Sequence, residues 1–391
     1  MIKKIALFIF AFPSLLFAQS YDVLFIGNSY TYYNNLPELV SNIANDFGDS
    51  LHYDQSTPGG TSLFAHSQNQ TTLNKISQQN WDFVVLQDQS QRPSLSPSYV
   101  AASVYPYATQ LVNLIDSNYI CTETVFYMTW GRKYGDQTNC SAYPPVCTFL
   151  GMQHRLRESY LAMGNDNNSS VSPVGIAFKN SIAIDSTIDL YTSDNSHPSI
   201  YGSYLAACTF YSTIFRKSSV GCNFFPSAIS QADALHLQQV ASSTVLDSMS
   251  VWNIFQADFD YNLNGKTISI INKSSNFENC FWNFGDGNQS QDINPIHTYS
   301  QNGVYDVILT VQTNSGCISE TYSTQIVINS NNVFEYDKKK EIIKSYNILG
   351  GVTKKNKQGL RIDIDSDGNK HKMFNFKSVS YTHLRAHETD R

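Results

Sequence analysis

The chain has 391 residues, enough for two or three domains; 41% are hydrophobic, 15% charged and 13% aromatic. The charged share is below the ~25% usual in soluble domains, and with many Asn, Ser, Thr and Tyr it points to a polar extracellular surface. The formal net charge of −6 excludes a basic nucleic-acid binder, because such proteins neutralise phosphates with stripes of Lys and Arg.

Lys3 and Lys4 precede an apolar run from Ile5 to Ala18. That run is shorter than the ~20 residues of a membrane span but suits a secretory signal peptide, residues 1–18. No later segment is long and apolar enough to span a membrane. From residue 21 to about 253, strand-like and helix-like segments alternate. Tyr21–Gly27, Trp81–Gln87, Ile120–Thr129 and Val171–Phe178 read as buried strands. Leu36–Ala44, Ala101–Asp116, Met152–Met163, Ser203–Phe215 and Ala232–Phe255 read as helices. Such alternation predicts an α/β fold with a parallel sheet. From Ala257 to about Asn329 the texture changes to short alternating strands with turn signals (KTISII, CFWNFGDG, VYDVILTVQT, STQIVI), as in a β-sandwich. A lysine-rich stretch follows from Val333, with a hairpin signal around Asp367-Gly368.

In a secreted chain the seven cysteines predict disulfides. Cys140 and Cys147 bracket a short Pro-containing loop and are the first expected pair. Cys208 with Cys222 and Cys280 with Cys317 follow by location, leaving Cys121 over in a strand. No C-x-x-C pair occurs to suggest a zinc ribbon.

Two segments carry chemistry. Gly27-Asn28-Ser29 ends the first strand, where open α/β sheets place ligands. Asp194-Asn195-Ser196-His197-Pro198-Ser199 precedes a helix. A serine hydroxyl needs a base to become a nucleophile, and the base needs an orienting carboxylate. Asp194 and His197 on one loop supply both.

At these residues the sequence resembles the SGNH (GDSL-type) hydrolases over about residues 21–253. IGNSYTYYNNLP is similar to the family's first block, with Ser29 as nucleophile. DNSHPSIYGSYLAACTFY is similar to its last block, with Asp194 and His197 completing the triad. The resemblance implies a flavodoxin-like three-layer α/β/α domain with a parallel sheet. It also implies a secreted serine esterase acting through an acyl-enzyme, with no metal and no cofactor. The family's middle blocks supply a Gly and an Asn to the oxyanion hole. Gly59 and Gly60 fit the first; in VVLQDQS no Asn is present and Gln89 falls nearest the place. Asn28 stands where the family's commonest motif has Asp.

Two other histidine and arginine segments stay open. His66 either lines the pocket or, as the expected role, supports it structurally. Trp130-Gly131-Arg132-Lys133 either contacts substrate, with Arg132 binding a carboxylate or sugar hydroxyl, or forms a surface loop.

Residues 257–329 resemble a polycystic kidney disease (PKD) domain. The resemblance rests on Trp282-Asn283-Phe284-Gly285-Asp286-Gly287, Pro295, His297, Tyr299, Gly303, Tyr305 and Leu309–Val311, with Asn283 where the family has Asp. It implies an Ig-like sandwich built on Trp282, serving as a spacer or as a contact to cell surface or polysaccharide. Residues 333–376 resemble a partial sorting segment of the type IX secretion system. Asp363, Asp365, Asp367 and Gly368 begin like an EF-hand, but Phe374 occupies the position of its bidentate Glu, so a hairpin is expected. Residues 379–391 resemble translated adapter sequence and are read as a non-native tail.

The expected partner is a small-molecule or carbohydrate ester, with an acetyl ester on polysaccharide as the expected case, and with no nucleic acid and no membrane span. The rival expectations are a non-catalytic adhesion protein with a decayed hydrolase domain, and an acyltransferase using the same three residues.

Overall fold

The computed structural model describes residues 18–313, 316–317 and 319–329, and the backbone of 344–347, 359–364 and 370–375. The first part of the chain runs β1 (Ser20–Ile26), α1 (Ser29–Tyr32), α2 (Leu36–Asp46), β2 (Ser50–Ser56), α3 (Leu63–His66), α4 (Gln70–Ile76) and β3 (Phe83–Leu86). It continues with α5 (Pro97–Ser103), α6 (Tyr105–Asn118), β4 (Glu123–Tyr127), α7 (Phe149–Asp166), β5 (Ser170–Ser172), α8 (Val174–Ile184), α9 (Ile200–Phe215) and α10 (Gln231–Leu246). The five strands form one sheet in the order β2-β1-β3-β4-β5, with every neighbouring pair parallel. This is the flavodoxin-like order.

Successive strand residues face opposite layers. Val23, Phe25, Val85 and Tyr127 pack with α2, α8, α9 and α10. Leu24, Ile26, Val84, Leu86 and Phe126 pack with α6 and α7. Burial on both faces is why Phe83–Leu86 reads as an unbroken apolar run. The result is the expected three-layer α/β/α arrangement.

Several expectations differ from the structure, among them the Ala232–Phe255 helix, which ends at Leu246 and is followed by a short 3-10 turn over Met249–Trp252. Of Val171–Phe178 only the first two residues are strand, ending β5; Pro173 then caps α8, whose Gly175 lies so close to the Thr129 carbonyl that a Cβ there would clash with it. The Ala101–Asp116 helix is two helices, because Val104 leaves the helical region just before Pro106, which lacks an N–H. Ser50–Ser56 forms the edge strand β2, unanticipated because its polar residues show no clean alternation.

The sandwich comprises β6 (Phe259–Asn264), β7 (Thr267–Asn272), β8 (Asn279–Asn283), β9 (Gln289–Ser290), β10 (Ile296–Thr298), β11 (Gly303–Gln312) and β12 (Ser319–Ile328). Its sheets have the orders β10-β7-β6 and β12-β11-β8-β9. Trp282 is buried, with its indole N–H on the Asp292 carbonyl. His297 stacks on Phe284 and bonds Asp286 at 2.8 Å, a structural role. The α/β layers and most of the sandwich form one compact unit. A second unit contains an antiparallel sheet of β13 (Lys344–Asn347), β14 (Gly359–Ile364) and β15 (Lys370–Asn375). The β14–β15 pairing is the hairpin expected in place of an EF-hand. Residues 1–17, most of 330–376 and all of the expected tail lie outside the described residues.

Cys140 and Cys147 are joined, with Cα atoms 4.7 Å apart. The other expected pairings are corrected. Cys121 bonds Cys317 across 196 positions, while Cys208, Cys222 and Cys280 are free and buried. Cys280 alternates inward with Trp282 on β8. Among the described residues no helix is long and apolar enough to cross a membrane.

Candidate active site

The loops that follow β1, β2, β3 and β4 converge at the C-terminal edge of the sheet. Ser29 opens α1, so its N–H is among the donors a helix leaves unused at its start. Gly27 is required by space: a Cβ there would stand 2.4 Å from Thr31 Oγ1 and 2.6 Å from Gln87 Oε1. Asn28 caps the helix, its Oδ1 accepting from Tyr30 N. Its Nδ2 donates to the Thr61 carbonyl at 2.9 Å. A carboxylate cannot donate, so Asn in place of Asp ties the first loop to the Gly59-Gly60 loop.

Gln87 completes that knot. Its Oε1 accepts from Asn28 N and Thr31 Oγ1, and its Nε2 donates to Asn28 Oδ1. His66, fully buried, bonds the Gly27 carbonyl through Nε2 and Thr72 through Nδ1. Burial lowers its pKa against the raising effect of the Gly27 bond. It therefore supports the loop rather than lining the pocket.

Ser29, His197 and Asp194 form one hydrogen-bonded chain. Ser29 Oγ lies 2.9 Å from His197 Nε2, and His197 Nδ1 lies 2.5 Å from Asp194 Oδ2. With Nδ1–H donating to the carboxylate, Nε2 is left to accept the serine proton. Asp194 also accepts from Thr192 Oγ1, Ser196 N and His197 N. Burial raises the Asp194 pKa, but these bonds outweigh it and hold the carboxyl well below its usual range.

An aromatic column fixes the histidine loop. Tyr33 stacks on His197 at 4.5 Å and Tyr30 meets its edge at 5.5 Å. Tyr30 stacks on Trp130, which stacks on Phe178. Tyr30 OH bonds Ser196 Oγ, and the Trp130 indole N–H donates to the Ser196 carbonyl. YTYY after the serine carried this signal in sequence, as aromatic residues with no assigned role.

Ser29 and His197 open on a cavity of about 350 Å³ also lined by Gly59, Gly60, Gln89 and Arg132. Gly60 has φ +69°, a conformation that favours glycine. Gln89 borders the cavity, with its Oε1 accepting from Gln91 N and Arg92 N and its Nε2 donating to Gln91 Oε1. Asn34 lies away from the cavity, bonded to Ser203 and Pro198. Beneath Gln89, Asp88 is fully buried. Burial raises its pKa to about 6, opposed by N–H groups of Leu63 and Gln89 and by Arg92.

Comparisons with known proteins divide along the same line as the fold. Residues 266–328 match the family model of the PKD domain. Over 62 residues, 16% of this chain, the sequence is 40% identical to collagenase ColA of Bacillus cereus, and the match spans only 5% of that enzyme's length. The α/β layers are similar to a DUF4886 family protein from Bacteroides uniformis, with a TM-score of 0.51 at 18% identity, covering 58% of this chain and 95% of that one. An SGNH hydrolase candidate from Slackia heliotrinireducens aligns with a TM-score of 0.41 at 23% identity, covering 50% of this chain and 100% of that one. The likeness to the Bacteroides protein is one of fold.

Proposed function

We propose that this protein is a secreted serine esterase that removes acyl groups, acetyl in the simplest case, from a carbohydrate. The observation that carries the reading is the unbroken chain Ser29 Oγ–His197 Nε2 and His197 Nδ1–Asp194 Oδ2, at 2.9 and 2.5 Å beside an open cavity. His197 takes the Ser29 proton as Oγ attacks the ester carbonyl. The oxyanion is held by Ser29 N–H, an N–H of Gly59 or Gly60, and the Gln89 amide. Collapse of the tetrahedral adduct breaks the C–O bond, and His197 gives its proton to the departing alcohol. Water, deprotonated by His197, then attacks the acyl-serine and releases the acid.

Asp194 holds the imidazole tautomer and offsets the positive charge His197 gains. The expected signal peptide and the sorting-like C-terminal segment support export, and the PKD match supports work outside the cell, against polysaccharide or cell surface. The test is p-nitrophenyl acetate turnover by the purified chain beside Ser29→Ala. Turnover that vanishes with Ser29 supports the reading. Equal background from both proteins sinks it and leaves the adhesion alternative.

A further inference from the structure

Arg132 follows β4 and lines the same cavity as Ser29 and His197, with its side chain 26% exposed. Its guanidinium makes no hydrogen bond to protein among the described residues. Nε is buried without a partner, and Nη1 stands 3.8 Å from Asp136 Oδ1, too far for a hydrogen bond. Asp136 cannot come closer to more use, because its oxygens already accept from Gln91 Nε2, Thr138 N and Asn139 Nδ2. The ion pair therefore holds the guanidinium in place without occupying its donors.

Arg92 and Arg216 differ in that their terminal nitrogens are engaged. Arg92 donates to Tyr99 OH and the Ser103 carbonyl, and Arg216 to two carboxylates. The neighbouring Lys133 is paired with Asp189 at 2.7 Å. Among the described residues lining the cavity, Arg132 is thus the one Lys or Arg side chain, and its donor fork is open. The wall around it is anchored: Lys133 N donates to the Asn195 carbonyl and Tyr191 OH to the Gly131 carbonyl.

We propose that Arg132 is a specificity-determining residue of this site and that the preferred ester carries a carboxylate, which the guanidinium fork receives. Planar guanidinium and carboxylate match in a two-bond geometry that a lysine ammonium or a neutral amide cannot reproduce. The carboxylate has two possible sources: the alcohol side, as in an O-acetylated uronic acid, or the acyl side, as in a half-ester of a dicarboxylic acid. The inference rests on the esterase reading for its turnover arm only.

The experiment compares kcat/KM for O-acetylated galacturonate against O-acetylated galactose, and for p-nitrophenyl succinate against p-nitrophenyl butyrate. The wild type should favour the acid in one pair by roughly 10–100-fold, the value of hydrogen bonds to a charged group. Arg132→Gln should collapse that ratio towards one, and Arg132→Lys should leave it in between. In parallel, calorimetric titration with galacturonate and with succinate reads binding without turnover, and Arg132→Gln should weaken the binding of the same acid by a similar factor. A wild type with no preference for the acid in either pair and no tighter binding of either acid overturns the proposal, as does an undiminished preference in Arg132→Gln. If no ester is hydrolysed but an acid binds through Arg132, the esterase reading fails and the carboxylate site stands.

Discussion

At the C-terminal edge of the sheet the two hydrogen-bonded partners of the Ser29 chain stay open to solvent: His197 and Asp194 are 26% and 48% exposed. At the N-terminal edge, charged groups are shut away. Arg216, 14% exposed, lies between Glu123 at the start of β4 and Glu320 on β12 of the sandwich, at 2.7 and 2.8 Å. Close by in the chain, Cys121 bonds Cys317, which lies between β11 and β12. Asp49, buried before β2, receives Lys217 and Tyr211 OH. The same elements end in opposite chemistry because each strand has one end free for loops and one end covered. The PKD region was expected to serve as a spacer or a binding module; a disulfide and a shared arginine fasten this sandwich to the edge remote from Ser29.

The largest expected effect lies at the open edge. Ser29→Ala should lower kcat on p-nitrophenyl acetate by about 10⁴-fold or more with the melting temperature nearly unchanged, since the serine side chain fills no core. Steady-state kinetics beside thermal unfolding measures both. A fall in stability matching the fall in rate would mean the residue is structural.

The covered edge should behave in the opposite way. Cys121→Ser with Cys317→Ser removes a crosslink spanning 196 residues and should cost about 2–5 kcal/mol by the behaviour of native disulfides. Scanning calorimetry should show a lower midpoint or a separate sandwich transition, while turnover of a small ester stays within about twofold. Loss of turnover in the folded variant would show that the two edges are coupled.

The open edge was legible in sequence because its parts are local: Gly27-Asn28-Ser29 sits on one turn, and Asp194 and His197 lie three apart on one loop. The covered edge was not. Cys121 and Cys317, or Arg216 and Glu320, are ordinary residues in their own segments and meet only through the tertiary fold. Gln87 was hidden for another reason. It ends an apolar run and reads as the first polar residue after a strand, yet three of its hydrogen bonds hold Asn28 and Thr31. The strand β2 was lost because a sheet edge does not need two apolar faces, so its residues carry no period to read.

Asp88 links stability to pH at the open edge. Its folded pKa of about 6 lies above the ordinary 3.8, so between those values the folded state keeps a proton that the unfolded state has lost. Stability from this group is greatest below about pH 4, falls as pH rises towards 6, and is then lower by a constant of about 3 kcal/mol. Asp88→Asn keeps an oxygen to accept from Leu63 N and Gln89 N but does not titrate. The two proteins should be close in melting temperature near pH 4, and the variant should gain on the wild type up to about pH 6. Parallel curves from pH 4 to 8 would mean that Asp88 is ionised throughout, held by Arg92.

Gln89 tests how the open edge stabilises charge, with the smallest expected effect. Its Oε1 caps the following turn through Gln91 N and Arg92 N, and one Nε2 hydrogen goes to Gln91 Oε1. An amide nitrogen has two hydrogens, so the capped oxygen fixes the group while one donor remains for an oxyanion in the adjoining cavity. Gln89→Ala removes both roles and should lower kcat by about 10²-fold. Gln89→Glu separates them, because a carboxylate keeps the cap but presents a negative acceptor where the donor stood. If the residue stabilises the oxyanion, Glu should be at least as slow as Ala while staying folded, the lost bond to Gln91 Oε1 being its structural cost. If Glu instead turns over like the wild type and only Ala is slow, the side chain serves the turn alone, and the oxyanion is held by the Ser29 and glycine N–H groups.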